Sequence, residues 1–540
     1  MTFEMPDTVY DAFQRTAQTW PARDMLCVMP STAQKYGIEA GALSYRAAQE
    51  HVQRYAQAFK GAGYTSGMRV AVLLENRPDF FLVWLAMNSL GLSVVPINPD
   101  LRRAELEYLL SHSEPALVIA IASRHLDLRQ AIDRLSFDLP LVKECCDLPP
   151  PRDGASVAEP KSGQAQEAAV LYTSGTTGNP KGCVLPNSYF LLAGAWYAKL
   201  GGLATLSKDG ERMITPLPIF HMNAMAYSFM AMITVGGCLI ALDRFHPSTW
   251  WDDVARSEAT CLHYLGVMPS MLMNAPARDS DRAHQIKFGF GAGVDPKLQA
   301  PFEDRFGFPL VEAWAMTETG AGAVIAASTQ ARSIGVASLG IPQSDLAISI
   351  VDHDGQEVAQ GQSGELLVRR AEGDPKFGFF SHYYKNPEAT AEAWAGGWFH
   401  TGDLVMQNAS GEVFFVDRKK NMIRRSGENI AAVEVESILM KHPLISAVAV
   451  CAVADETRGD EVFALIVSTE PSKATAQSIM DWSLQEMAYY KAPGYISFTT
   501  ELPLTPTQKI QRAVLKSQAE ELLKDPKTIK TAPLKRRQVA

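Results

Sequence analysis

Tyr172-Thr-Ser-Gly-Thr-Thr-Gly-Asn-Pro-Lys-Gly182 decides the reading of this chain. It packs four hydroxyl residues (Thr173, Ser174, Thr176, Thr177), the glycines Gly175, Gly178 and Gly182, and Lys181 into one short segment. The apolar run Ala168-Ala-Val-Leu171 just before it reads as a buried strand. The loop therefore leaves the carboxyl end of a strand, where open α/β sheets bind ligands. Glycines let backbone N–H groups turn toward a phosphate, the hydroxyls add donors, and Lys181 adds a compact positive charge. Each charge-assisted hydrogen bond contributes roughly 1.5–3 kcal/mol, so several together can hold a triphosphate. A Ser/Thr/Gly linker would have no reason to end in Pro-Lys-Gly after a strand. The segment is not a P-loop either, because the Gly-Lys-Ser/Thr ending is missing.

Further motifs follow in order: Pro218-Ile-Phe-His221, Gly291-Ala-Gly293, Trp314-Ala-Met-Thr-Glu-Thr-Gly320, Trp398-Phe-His-Thr-Gly-Asp403, Asp417-Arg-Lys-Lys420, Ser426-Gly-Glu-Asn429 and Pro506-Thr-Gln-Lys-Ile-Gln-Arg512. Together with the hydroxyl-rich loop they resemble the adenylate-forming enzymes: acyl-CoA synthetases, peptide-synthetase adenylation domains and firefly luciferase. The resemblance runs from about Val9 to Leu515. Within that superfamily the Phe-His segment and Tyr383-Tyr-Lys-Asn-Pro-Glu388 look most like crotonobetaine/carnitine-CoA ligases.

The resemblance implies the chemistry. A carboxylate attacks the α-phosphorus of ATP, and because two anions must meet, the site has to supply cations and donors at the transition state. The implied β/γ-phosphate cradle is Thr173 to Gly178 with Lys181. Thr317 would donate to the α-phosphate and Glu318 would hold Mg²⁺, which usually takes one or two carboxylates plus substrate phosphates. Gly291, Ala292 and Gly293 imply one wall of the adenine slot. Trp314, standing where the family usually has tyrosine, implies the opposite wall. Asp403 would accept from the ribose hydroxyls, and Arg418 is a second ribose or phosphate contact. His221 would line and position the carboxylate. The acyl pocket is expected from His221, Met222, Ala224, Met225, Phe290, Gly291, Ala315 and Met316. Ala315, in place of the family's glycine, brings a methyl group to that pocket. A quaternary ammonium could rest on Tyr227, Phe229 or Phe290 by cation–π attraction; the same aromatics suit an aryl or medium-chain acid.

Lys509 is the implied adenylation lysine, although Gln508 replaces the glycine that usually precedes it. Lys420 aligns with a hinge. Ser426, Gly427 and Glu428 imply the tunnel for the pantetheine arm of coenzyme A, whose thiolate needs little activation; no catalytic cysteine is nominated.

Alternating helical and strand-like segments fill the first three quarters: Tyr45–Ala62 and Asp79–Leu90 as helices, Arg69–Leu74, Ser93–Ile97 and Ala116–Ile121 as strands. That alternation predicts α/β architecture with doubly wound parallel sheets, followed by a β-rich part. From residue 417 the text changes to a small α+β unit. The expected division is a large domain over 1–416, a hinge over 417–421 and a small mobile domain over 422–540.

With 540 residues, two or more domains are expected. A net charge of −9 argues against nucleic acid as a partner. Seven cysteines without CxxC spacing, and no secretory leader, read as reduced thiols in a cytoplasmic protein. Met222–Leu242 lacks charge over a span long enough for a bilayer, but Asn223, Ser228 and Gly236-Gly237 favour a buried helix, a turn and a buried strand.

The activity implied is an ATP-dependent acid–CoA ligase taking a small carboxylic acid, ATP and coenzyme A, with homo-oligomerisation open. The alternatives are a freestanding adenylation enzyme loading a separate carrier protein and a luciferase-like oxygenase.

Overall fold

The computed structural model describes residues 5–535 apart from 144, 146, 159, 160, 174–178, 353, 419–422, 431, 504–509 and 511. Ser174, Gly175, Thr176, Thr177, Gly178, Lys420 and Lys509 therefore lie outside the described residues, as does the side chain of Arg418.

Two sheets carry the first half of the chain. In the first, Leu141–Val142, Leu117–Ala120, Arg69–Leu73, Ser93–Pro96 and Glu167–Thr173 run parallel, and Lys181–Pro186 and His382–Tyr383 close one edge antiparallel. In the second, Leu310–Trp314, Phe288–Ala292, Cys261–Leu265, Arg212–Thr215, Cys238–Ala241 and Asp24–Val28 run parallel. Short antiparallel strands, Ile325–Ala326 and Gly41–Ser44, flank them. Parallel strands covered on both faces must be apolar throughout, and Arg69–Leu73 is buried at every position. The helix Asp79–Ser89 is likewise buried from Phe80 to Asn88, being sandwiched rather than amphipathic.

The hydroxyl-rich segment joins Glu167–Thr173 to Lys181–Pro186, so it closes a hairpin in which Thr173 and Lys181 are ladder partners. It does leave the carboxyl end of a strand next to a parallel partner, but it returns as a strand where a nucleotide-binding βαβ unit would enter a helix.

A five-stranded antiparallel sheet follows, in the order Ser338–Gly340, Val413–Arg418, Phe399–Gln407, Ser363–Arg370, Leu346–Val351. Its strand Val413–Arg418 runs through residues 417 and 418, where the sequence suggested a hinge. The last unit is a six-stranded sheet with helices Ala432–Leu439, Lys473–Glu486 and Arg512–Leu522. The hydrophobic clusters of this unit contain only residues from Ile423 onward, whereas the remaining clusters end at Phe415.

The uncharged stretch after His221 forms a π-helical segment, Asn223–Phe229, then an α-helix, Met230–Val235, ended by left-handed Gly236 before Cys238–Ala241. Among the described residues, no helix is long and apolar enough to cross a membrane.

Candidate active site

Three sheets deliver side chains to one place. The carboxyl ends of the parallel strands in the second sheet supply Leu265, Gly291–Gly293 and Trp314–Thr317, the topological position at which such sheets bind ligands. The first sheet supplies Thr173, Lys181 and Tyr383 from its antiparallel edge. The five-stranded sheet supplies Asp403, whose ladder partner is Arg418.

Glu318 sits on a tight turn after the strand Leu310–Trp314, held by the N–H groups of Thr319 and Gly320 on the Met316 carbonyl. Its carboxylate is only 7% exposed, accepts a hydrogen bond from Tyr383 Oη at 2.9 Å, and makes no ion pair among the described residues. Lys181 places its Nζ 4.3 Å from the centroid of the same Tyr383 ring. Cys183 lies beside Glu318, where burial first, then the carboxylate charge, push its thiol well up and keep it neutral. Thr173 lies 3.9 Å from Cys183 Sγ. The residues proposed from sequence for phosphate and metal are thus neighbours. A buried carboxylate without a cation is costly unless charge is supplied, so this donor set suits a hard divalent cation. No group of three or more His, Cys, Asp or Glu among the described residues could hold a metal by itself.

Thr317 is half-buried; its carbonyl accepts from Tyr189 Oη at 2.9 Å, and its hydroxyl has no partner among the described residues. Trp314 and Asp403 are both buried, with indole Nε1 donating to Asp403 Oδ2 at 2.8 Å. The closeness that glycine permits at 291 serves the sheet itself: a Cβ there would lie 2.2 Å from the Tyr264 carbonyl oxygen. Ala292 is half-buried and Gly293 exposed.

Glu312 escaped the sequence reading. It is fully buried below this wall, where it accepts from the N–H groups of Gly293 (2.8 Å) and Val294 (3.3 Å) and from Tyr264 Oη (2.5 Å). Burial raises its carboxyl to about 7 against those hydrogen bonds. A carboxylate two residues before Trp314 was the available signal.

Along the π-helical segment, His221, Met222 and Asn223 are half-buried, whereas Ala224 and Met225 are fully buried in the core. Ala315 and Met316 are half-buried and Phe290 is 2% exposed. The aromatics suggested for a quaternary ammonium are used elsewhere: Phe229 stacks on Phe81 at 4.2 Å, and Tyr227 donates to the Gly320 carbonyl. Residues five apart align on a π-helix, so Asn223 and Ser228 both reach Nδ1 of buried His263, at 2.8 and 2.9 Å. Burial lowers His263 to about 3, so the ring is neutral. Asn223 Oδ1 can only accept; His263 Nδ1 therefore carries the proton, and Nε2 accepts from Tyr197 Oη at 3.1 Å. The Asn223 amide nitrogen is left without a partner among the described residues.

Ser426 and Gly427 have φ of 51° and 86° and connect the paired strands Ile423–Arg425 and Glu428–Ile430, a two-residue hairpin turn needing left-handed backbone at both positions. Its tip packs on Leu265, and Glu428 Oε2 lies 3.7 Å from His221 Nε2. A buried ionic triad spans the same junction: Lys491 Nζ lies 2.6 Å from Glu105 and 2.7 Å from Glu434.

Residues 13–384 match the AMP-binding enzyme family, and residues 434–509 match the AMP-binding enzyme C-terminal domain. A sulfoacetate–CoA ligase from Cupriavidus necator is 30% identical over 96% of this chain and 99% of its own length. A crotonobetaine/carnitine–CoA ligase from Citrobacter koseri is 30% identical over 88% and 93%. In fold, the chain resembles o-succinylbenzoate CoA synthetase from Bacillus subtilis, with a TM-score of 0.80, 23% identity, and 95% and 98% of the two chains covered. It also resembles the amide bond synthetase McbA from Marinactinospora thermotolerans, with a TM-score of 0.78, 21% identity, and 94% and 99% covered. With most of its length matched and a full-length relative at 30% identity, this chain belongs to the family of AMP-binding enzymes.

Proposed function

We propose that this protein joins a compact carboxylic acid, one carrying an uncharged hydrogen-bond acceptor, to coenzyme A. The chain is an ATP-dependent acid–CoA ligase. A carboxylate oxygen attacks the α-phosphorus of ATP, the bond to the pyrophosphate leaving group breaks, and acyl-AMP forms. The thiolate of coenzyme A then attacks the acyl carbonyl carbon, and AMP leaves. The observation that carries the site assignment is the meeting of Lys181, Tyr383 and Glu318. Lys181 offsets triphosphate charge, the Thr317 hydroxyl faces the α-phosphate, and the Trp314–Asp403 pair takes adenosine. Glu318 is the residue that would hold Mg²⁺, which when bound neutralises part of the charge on the phosphates.

Two features support the acid's class. Past Asn223 the segment is closed, with Ala224 to Phe229 buried, so a long chain has no path along it. The amide nitrogen of Asn223, without a partner among the described residues, offers a donor, while the nearby Glu428 carboxylate disfavours a second anion. The acids named for the relatives support only the short length, since sulfoacetate carries a second anion and crotonobetaine and carnitine carry a quaternary ammonium.

The test is pyrophosphate release with coenzyme A present, across short hydroxy, keto, dicarboxylic, aryl and fatty acids. The expected result is highest turnover on a short hydroxy or keto acid with acyl-CoA as product. Preference for medium-chain fatty acids overturns the substrate assignment. Lys181→Ala and Glu318→Gln should each slow adenylation about 10²–10³-fold, and rates within threefold of wild type overturn the site assignment.

A further inference from the structure

We propose that Tyr383 is a positioning residue for adenylation, fixing the metal-holding carboxylate through its hydroxyl and the phosphate-facing lysine through its ring. This rests on the assignment of Glu318 to Mg²⁺ and Lys181 to phosphate given above.

The position of Tyr383 is set from three directions. The strand His382–Tyr383 pairs antiparallel with Lys181–Pro186, placing Tyr383 opposite Cys183. Side chains two apart on a strand share a face, so Lys181 emerges on the same side as Cys183, beside the ring. Just upstream, the Phe380 N–H donates to the backbone carbonyl of Glu318 itself at 2.9 Å. The Tyr383 N–H in turn donates to Thr390 Oγ1 at 3.0 Å. The phenol is thus carried on a segment anchored to the residue it serves.

Its two contacts do different things. The hydroxyl donates to Glu318 Oε1 at 2.9 Å. With one oxygen and the carboxylate plane fixed, the other oxygen is held for a cation. Partners that orient metal ligands in this way typically change metal affinity 10–100-fold when removed. The ring, 6% exposed, presents its face to Lys181 Nζ, a cation–π contact that restrains a side chain otherwise rich in rotamers.

The two effects separate by substitution. Tyr383→Phe keeps the ring and removes the hydroxyl; Tyr383→Leu removes both. Binding of α,β-methylene-ATP, which cannot be adenylated, is titrated calorimetrically with and without Mg²⁺, with thermal melts confirming folding. Tyr383→Phe should weaken the Mg²⁺-dependent affinity about tenfold and leave metal-free affinity unchanged. Tyr383→Leu should weaken metal-free binding as well, because Lys181 loses its support. Wild-type Mg²⁺ dependence in Tyr383→Phe, while Glu318→Gln loses it, overturns the role of Tyr383 and spares that of Glu318. Unchanged Mg²⁺ dependence in Glu318→Gln removes the metal assignment and this proposal with it.

Discussion

The indole N–H of Trp314 donates to the carboxylate of Asp403 at 2.8 Å, joining the aromatic wall expected for adenine to the group expected for ribose. The pair bridges two sheets, since Trp314 ends a parallel strand of one and Asp403 lies within the five-stranded antiparallel sheet. Hydrogen bonds to a charged group contribute about 1.5–3 kcal/mol, and this one is made to a carboxylate that is only 1% exposed. Trp314→Phe keeps a ring for stacking but removes the indole donor that helps orient the carboxylate. Its KM for ATP should rise about tenfold with kcat little changed. Wild-type preference for ATP over 2′-deoxy-ATP should also collapse in the variant; a preserved preference would show that the indole does not orient Asp403.

Glu312 should make stability pH-dependent. Its folded value of about 7 stands above its ordinary 4.5, because burial outweighs the N–H and phenol donors. A carboxyl raised on folding contributes stability that is present below pH 4.5 and lost as pH rises through 7. At about 1.4 kcal/mol per pH unit the loss is at most about 3.5 kcal/mol. Glu312→Gln removes this titration, so its melting temperature relative to wild type should be higher at pH 8 than at pH 5. An equal offset at both values would mean that Glu312 does not titrate in this range.

Gly427 is constrained by both backbone and neighbour. Its φ of 86° disfavours any side chain, and a Cβ would lie 2.1 Å from Leu265 Cδ1. Leu265 can swing aside for alanine, at a backbone cost of about 1 kcal/mol, but not for isoleucine. Gly427→Ile should release pyrophosphate once per enzyme and make little acyl-CoA, because the hairpin tip can no longer seat beside His221. Adding Leu265→Ala should restore part of the thioester step. Equal loss of both half-reactions in a folded Gly427→Ile protein would refute a role confined to the second.

Lys491 links the two parts of the chain through Glu105 and Glu434. Burial disfavours its charge, but the two carboxylates outweigh this and hold the ammonium protonated. Removing one member of a buried ion pair typically costs 3–5 kcal/mol when the site stays closed, so Glu105→Ala should release the small unit rather than bury the imbalance. Protease sensitivity should rise, and the thioester step should slow more than adenylation. An unchanged digestion pattern would show that the triad does not hold this arrangement.

Much of the architecture was legible in local text. Helical spacing of apolar residues placed Tyr45–Gly61, which buries one face, and continuous apolar runs placed Asp79–Ser89 and the parallel strands, which are buried on both faces, each within a residue or two. The stretch after His221 read correctly as helix, turn and strand, with Gly236 left-handed at the turn. Which of its side chains face the cleft was not readable. A helix apolar all round has no sidedness in sequence, so Ala224 and Met225 looked equivalent to Met222 and proved to be core. The left-handed pair Ser426–Gly427 was visible only as small residues, and its partner Leu265 was not visible at all.

By itself, the sequence determined the order of motifs, the α/β plan and the family, all of which depend on residue identity at short spacing. The tertiary structure alone decided the pairs Tyr383–Glu318, Trp314–Asp403, Asn223–His263 and Lys491–Glu105, separated by 65, 89, 40 and 386 residues. Such pairs depend on how sheets are registered and stacked. Hydrophobic periodicity specifies which face of an element is buried, but not which distant side chain it meets there.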